Sequence, residues 1–435
     1  VLKPRIGLYG VLEKSEECWQ DADSLLSLVQ EQLEQAGMEV HRAPELVYDN
    51  RTAIGVAESW RAEELDLLLA LVVCWSFDNL SLSILRRVPR PLAILAVPGI
   101  RSGSLVGAHQ LGSLLTDLGL EHAVFQGDPA SAATYQPLCA YARAAAAQQR
   151  LSLGKIGNVG RRTPGMTPAA FDEVEVTRLL GPQVVTYGWE EIEESARSVA
   201  ASVVEEQTHA IISLAGEVRS SGEGLADSAR LFLALRERAQ REGLLALSLG
   251  CYPHYAGRVC LACALLGEEG VPTSCEGDLN SALAMLLLYW STGQPVHFGE
   301  ILEVNQEENS IVTSHCGCAP PSLAAERSQV EVCPVRLWER GACLRFRAKG
   351  GPATFANLVG RRGTYRLCVV EGEALVTEMV FEGNPVKLRP RIPVREFIEV
   401  IGEKGFGHHW MMGYGQVASE LRAFCKLAGL QAVFL

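Results

Sequence analysis

The run Leu65-Asp-Leu-Leu-Leu-Ala-Leu-Val-Val-Cys-Trp75 is almost unbroken in apolar residues. A strand wetted on one face alternates apolar and polar side chains. An unbroken run belongs to a strand covered on both faces, as in a parallel sheet. Residues 91–97 repeat the pattern, and residues 5–10 form a shorter strand candidate ahead of both. Residues 21–36 carry Leu25, Leu26, Val29 and Leu33 at helical spacing, with Gly37 at the expected helix end. Strand, loop and helix in repetition predict an open α/β sheet.

The same reading extends along the chain. Ala145-Ala-Ala-Gln-Gln-Arg150 ends the first unit, and a second α/β unit opens at Gly154-Lys-Ile-Gly157. Its strands are expected at 184–188, 210–214, 244–249 and 271–275, and its helices at 190–205, 226–242 and 279–290. The last helix, with Ala282-Leu-Ala-Met-Leu-Leu-Leu-Tyr-Trp290, is apolar nearly all round and should be buried. After Thr292-Gly293 the pattern changes to short strands and glycine turns. Residues 296–304 and 310–315 read as a hairpin around Asn305-Gln-Glu-Glu-Asn309, followed by strands at 330–335, 342–348, 364–370 and 374–381. One helix, 416–428, carries Val417, Leu421, Phe424 and Leu427 on one face and stops at Gly429. The expectation is an α/β domain at 1–153, a second at 154–292, and a mostly antiparallel, β-barrel-like domain at 293–435.

Composition narrows the function classes. A chain of 435 residues suits about two or three domains. With 48% apolar and 21% charged residues it reads as an ordinary globular protein. A net charge of −12 argues against a nucleic-acid partner, which needs a basic face. No charge-free apolar run approaches the roughly 20 residues of a membrane span. The opening Val1-Leu2-Lys3-Pro4-Arg5 is expected to lead into a strand and not to act as a signal peptide. The 13 cysteines, several in apolar runs as Cys74 is, suit buried thiols in a reducing cytoplasm. Cys260-x-x-Cys263 and Cys316-x-Cys318 raise the question of zinc. The first pair lies in an apolar, helical-looking stretch, and no second well-spaced pair follows, so thiols are expected. Gly154-x-x-Gly157-x-x-Gly160 has the wrong spacing for a dinucleotide fingerprint.

The chemistry-bearing residues stand at element ends. Along residues 296–304, alternation puts Glu300 on one face with Val296, Phe298, Leu302 and Val304. A carboxylate there needs a cation, a donor or a metal to stay ionised; a buried salt bridge or a protonated acid would also serve. Glu276 and Asp278 lie where a buried strand ends and a buried helix begins, the place where ligands bind in open α/β sheets. His315 closes the hairpin's second strand, and His408-His409 come near the C-terminus. Mixed carboxylate and imidazole ligands suit Mn²⁺, Fe²⁺ or Co²⁺ in Lewis-acid work. Tyr252, after a strand end, is a candidate ligand contact, and so are Arg101 and Ser104, in a helix-start loop that offers free backbone N–H groups and a cation.

Four stretches carry a family resemblance: Cys275-Glu-Gly-Asp-Leu-Asn-Ser-Ala282, Thr292-Gly-Gln-Pro-Val296, Gly299-Glu300 and Ser314-His-Cys-Gly-Cys-Ala-Pro-Pro-Ser-Leu323. Together they resemble the L-fucose isomerase family, whose architecture the L-arabinose isomerases share. His408-His409 and Tyr414-Gly-Gln-Val-Ala-Ser-Glu-Leu421 are similar to it too. The resemblance implies two Rossmann-like domains and a β-barrel-like one. It implies Mn²⁺ (or Co²⁺, Fe²⁺ or Mg²⁺) held by Glu276, Glu300 and one of His408 and His409, with His315 matching a further histidine ligand. It also implies a homo-oligomer, trimer or hexamer, in which a neighbour's N-terminal domain closes the site. The expected substrate is a free sugar, L-fucose-like or a pentose, bound open-chain with O1 and O2 on the metal and with Asp278 among its contacts. One of Glu276 and Glu300 would take the C2 proton and return it to C1 through an enediol; a hydride shift is the other route. Lysine and arginine are scarce around the motifs, so a phosphorylated substrate is not expected. Two other readings are a sugar-binding or sensor protein without turnover and a metal enzyme acting on a modified sugar.

Overall fold

The computed structural model describes residues 2–16 and 19–435, so Val1 and Cys18 lie outside the described residues. The chain divides into two compact units, Leu2–Gln149 and Arg150–Leu435. The segments 154–292 and 293–435, expected as separate domains, fall within one unit. Among the described residues no helix is long and apolar enough to cross a membrane.

In the N-terminal unit, β1 (Arg5–Val11), β2 (Glu39–Arg42), β3 (Leu67–Val72), β4 (Leu92–Ala96) and β5 (His122–Gln126) form one sheet in the order β2-β1-β3-β4-β5. All its pairings are parallel. All six residues of β3 are buried, which is why the run shows no alternation.

The C-terminal unit opens with a second parallel sheet. Its strands are β6 (Lys155–Val159), β7 (Gln183–Tyr187), β9 (Leu244–Leu249) and β10 (Thr273–Ser274), in the order β10-β9-β6-β7, while β8 (Glu217–Val218) pairs elsewhere. The helix Leu279–Thr292 packs on β9 and β10 on one side and on the C-terminal sheet on the other. It is buried at nearly every position because two layers cover it. That C-terminal sheet holds β11 (His297–Asn305), β12 (Ser310–Ser314), β15 (Gly351–Arg361), β16 (Thr364–Leu375), β17 (Val386–Pro390), β18 (His409–Tyr414) and β19 (Gln431–Phe434), in the order β15-β18-β11-β12-β17-β16-β19. β15 also pairs with β16, so six of the strands form a closed circuit of neighbours. β13 (Glu331–Val335) and β14 (Arg340–Arg345) form a hairpin that joins β8.

Several expectations need correction. Residues 210–214 are not a strand: they end the helix Ala201–Leu214, which follows Trp189–Ser198. The short apolar run Ala210-Ile-Ile-Ser-Leu214 fits either state by periodicity, and here only Ile211 of it is buried in the core. Residues 376–381 are irregular, because β16 runs on only to Leu375. β15, β17, β18, β19 and the helix Val394–Lys404 escaped the sequence reading. In β11 the face reading fails after Ile301. The pairing with β12 shifts between Ile301 and Glu303, and Leu302 and Val304 are exposed. A β-bulge adds one residue and breaks the period of two.

Trp410 anchors the core behind β18. It is fully buried, stacks on Phe355 at 5.1 Å and 17°, and meets Phe397 edge-on at 4.9 Å. Its indole N–H donates to the Gly407 carbonyl at 3.1 Å. Trp410→Ala should cost about 3–5 kcal/mol, the usual range for emptying a buried aromatic site, read as a lower urea midpoint. An unchanged midpoint would remove Trp410 from this role.

Candidate metal centre

Three adjacent strands and one turn supply the site. In β11, Glu300 pairs in register with His409 of β18 on one side and with Ser314 of β12 on the other. His315 follows Ser314 directly, so Glu300, His315 and His409 meet across neighbouring strands although they lie far apart in sequence. Glu276 arrives from the parallel sheet, in the turn between β10 and the helix Leu279–Thr292. Glu276 and Gly277 both have left-handed backbone, with φ of 62° and 72°. For a glutamate this stores about 1–3 kcal/mol of strain, which the surroundings must hold. They do so through three backbone bonds: Thr163 N–H to the Glu276 carbonyl at 3.0 Å, Gly277 N–H to Leu249 at 3.0 Å, and Asp278 N–H to Cys275 at 3.2 Å. Position 277 admits only glycine, because a Cβ there would stand 2.6 Å from Arg162 Cα.

One ligand atom from each of Glu276, Glu300, His315 and His409 lies within 4.8 Å of all the others. His409 Nε2 is 3.1 Å from Glu276 Oε2 and 4.0 Å from Glu300 Oε1. His409 Nδ1 bonds Asp278 Oδ2 at 2.8 Å, which fixes the ring and turns Nε2 towards the two glutamates. His315 Nδ1 lies 3.6 Å from the Cys318 thiol, leaving its Nε2 for the centre. Phe298 packs against both imidazoles, with ring centroids 4.8 Å from His315 and 4.7 Å from His409.

The electrostatics separate the members. Burial works against a charged His409, yet the bonds to Asp278 and Glu276 prevail and raise it to about 9. Burial pushes His315 down to about 4, so its imidazole is neutral and keeps a lone pair. Burial pushes the Glu276 carboxyl up, but the His409 bond and the neighbouring imidazoles outweigh it and hold it below the usual range. Burial raises Glu300, against the pull of His409. Two carboxylates and two imidazoles, with a carboxylate behind one imidazole, fit a divalent cation of the Mn²⁺, Fe²⁺ or Co²⁺ kind better than Mg²⁺, which prefers all-oxygen shells.

The other candidates fall elsewhere. His408 lies outside the group of four; its ring lies tilted at 42° to that of His409 with centroids 4.0 Å apart, and it stays 3.7 Å from Glu300, more than a third exposed. Asp278, expected to touch the sugar, is buried and committed. Besides His409 it accepts from Ser281 N–H at 3.1 Å and Ser281 Oγ at 2.7 Å, capping the helix. Tyr252 is exposed and meets Trp338 edge-on at 5.2 Å. Within the N-terminal unit Arg101 is exposed, whereas Ser104 is fully buried. The Ser104 hydroxyl donates to the Val72 carbonyl and accepts from Val97 N–H, so it serves packing and is not offered to a ligand. Sequence reading missed Phe298 and Cys318 as neighbours of the ligands. The one legible signal was Asp278-x-x-Ser281, a helix-cap spacing that marks Asp278 as structural.

The chain is similar to several known proteins. The L-arabinose isomerase C-terminal domain matches residues 299–431. A sulfoquinovose isomerase of Alkalicoccus urumqiensis is 27% identical over 345 residues, covering 77% of this chain and 76% of its own. One from Priestia aryabhattai is 25% identical over 391 residues, 87% of each chain. An L-arabinose isomerase of Halalkalibacterium halodurans is 23% identical over 347 residues, covering 76% of this chain and 69% of its own. These relatives support the L-fucose/L-arabinose isomerase superfamily. They do not single out L-fucose isomerase, and they mark the chain as an isomerase.

Two outcomes are expected. Below pH about 9 the metal-free protein carries a proton on His409, which a cation must displace. Mn²⁺ affinity should therefore rise with pH, by about tenfold per unit for one released proton, and calorimetry in buffers of different ionisation enthalpy counts that proton. A flat profile would contradict His409 as ligand. Asp278→Asn should weaken Mn²⁺ binding by about 10–100-fold, the usual effect of losing the carboxylate behind a ligating imidazole. Unchanged affinity would assign Asp278 to helix capping alone.

Proposed function

We propose that this chain is a divalent-metal-dependent aldose–ketose isomerase acting on a free sugar in open-chain form. The observation that carries the reading is the set of four ligand atoms, two carboxylate and two imidazole, within 4.8 Å. Relatives named for sulfoquinovose and for L-arabinose both stand among the matches, so the class proposed is a free aldose in general. We take Mn²⁺ as the cation. When bound, it polarises the carbonyl and acidifies the neighbouring hydroxyl and C–H.

The protein's own residues divide the remaining work. Glu276 is pinned by His409 and its carboxyl is held low, so it is a poor proton acceptor and a good anchor. The Glu300 side chain makes no hydrogen bond among the described residues, and burial raises its carboxyl. It is the group suited to take a proton from C2 and give one to C1. His315 and Phe298 are buried and pack edge to face beside the centre, an apolar wall suited to excluding water from it. The reading carries with it a homo-oligomer, and the buried thiols suit a reducing cytoplasm.

The test is a panel of free aldoses with Mn²⁺ in D₂O. A ketose should form, and deuterium should enter beside the carbonyl. No ketose from any aldose would sink the proposal, and a ketose without deuterium would favour the hydride shift. Glu300→Gln should lower kcat by about 100-fold or more, the range for losing a positioned acid–base group, with the melting temperature nearly unchanged.

A further inference from the structure

His315 stands outside any regular element. β12 ends at Ser314, and residues 315–319 run on as an irregular loop. A ligand on such a loop keeps its place only if other parts of the fold hold the loop. Here the holding part is a second irregular segment, Glu382-Gly-Asn-Pro385, just ahead of β17.

Asn384 is fully buried, and each of its polar atoms is bonded. Its backbone N–H donates to Ser314 Oγ at 3.0 Å, and its carbonyl accepts from His297 Nε2 at 2.7 Å. Its Oδ1 accepts from Ala319 N–H at 3.0 Å, and its Nδ2 donates to the Leu344 carbonyl at 2.8 Å. Ser314 and Ala319 are the two ends of the His315 loop, so one residue fastens both. The middle of the loop is tied to the same group: Leu344 N–H donates to the Gly317 carbonyl at 3.0 Å. Fixing Ala319 also fixes its neighbour Cys318, whose thiol lies 3.6 Å from His315 Nδ1. The two segments lie backbone against backbone, and a Cβ on Gly383 would stand 1.8 Å from the His315 carbonyl oxygen.

An asparagine in a loop ordinarily bonds its own neighbours. The Asn384 side chain instead reaches partners 65 and 40 residues away. Its orientation is fixed as well. A flipped amide would set donor against the Ala319 N–H and oxygen against the Leu344 carbonyl, so the site specifies an uncharged amide facing one way.

We propose that Asn384 is a positioning residue of the metal centre: it holds the 315–319 loop so that the His315 imidazole stays with Glu276, Glu300 and His409, and it acts on the cation through His315. The inference rests on the proposed metal-dependent function, in which His315 is a ligand. Its test does not need turnover.

The experiment is calorimetric titration of the full chain with Mn²⁺ in the parent, N384A, H315A and the double variant. N384A should weaken Mn²⁺ binding by about 10–100-fold, the usual effect of losing a partner behind a ligand. In the H315A background the same change should cost less than about threefold, because the ligand it positions is gone. A merely structural loss would be as large in either background. With Co²⁺ in place of Mn²⁺, N384A should shift the visible absorption bands in the same direction as H315A. S314A, which removes only the acceptor of the Asn384 N–H, should give a smaller loss with the same dependence on His315, and it carries the test if N384A does not fold. Parent-like affinity in N384A and S314A, with H315A weakened, overturns this inference alone. So do losses of equal size with and without His315. If H315A binds Mn²⁺ as the parent does, the reading of His315 as a ligand falls and takes this inference with it. Absence of ketose from any aldose, with Mn²⁺ still held through His315, would sink the isomerase reading alone.

Discussion

The centre is organised by one imidazole held between two acids. His409 is almost wholly enclosed, with Asp278 on one ring nitrogen and Glu276 on the other. Neither carboxylate could stay ionised in that depth alone, since removing a charge from water costs several kcal/mol. The contact also joins two parts of the unit that differ in architecture. Asp278 and Glu276 belong to the turn leaving a parallel sheet, and His409 opens a strand of the antiparallel one. A proton on His409 balances the acids, and the ring is held in place from both sides, which is what preorganisation asks of a metal centre.

The helix Leu279–Thr292 makes that junction rigid. Its start is capped by Asp278, the same residue that orients His409. Its body fills the space between β9 and β10 on one side and β15 and β18 on the other. Any shift of the helix would therefore move Glu276 and the His409 ring together. The left-handed backbone of Glu276 is affordable only in such a frame, with Gly277 letting the Arg161–Arg162 loop close over the turn.

Much of this was legible in the sequence, for identifiable reasons. The parallel strands announce themselves because burial on both faces removes polar residues, as in β3 and β9. Glu276 and Asp278 could be located because a strand end and an apolar helix flank them. The role of Asp278 was misread because its partner is distant: position 409 says nothing local about position 278. β18 went unseen because all six of its residues are buried, so no alternation marks it, and Gly413 interrupts the pattern. The choice between His408 and His409 is likewise settled at a distance. Both rings come within about 4 Å of Glu300, and only the distant partners Glu276 and Asp278 single out His409.

The bulge in β11 connects these observations to the chemistry. A regular strand would place Leu302 and Val304 on the same face as Glu300, and the carboxyl would then be enclosed by apolar side chains. The inserted residue between Ile301 and Glu303 twists the strand away, and the chain becomes exposed just beyond Glu300. Glu300 is therefore sealed on the side of Phe298 and open on the other, with its side chain at 31% exposure against 13% for Glu276. A carboxyl in that half-open position is desolvated enough for its proton affinity to rise. Glu276, locked by a hydrogen bond and strained backbone, does not share that rise. The two acids are the same residue type; strand irregularity on one side and an imidazole on the other give them the different proton affinities that the proposed isomerase assigns to a shuttle and an anchor.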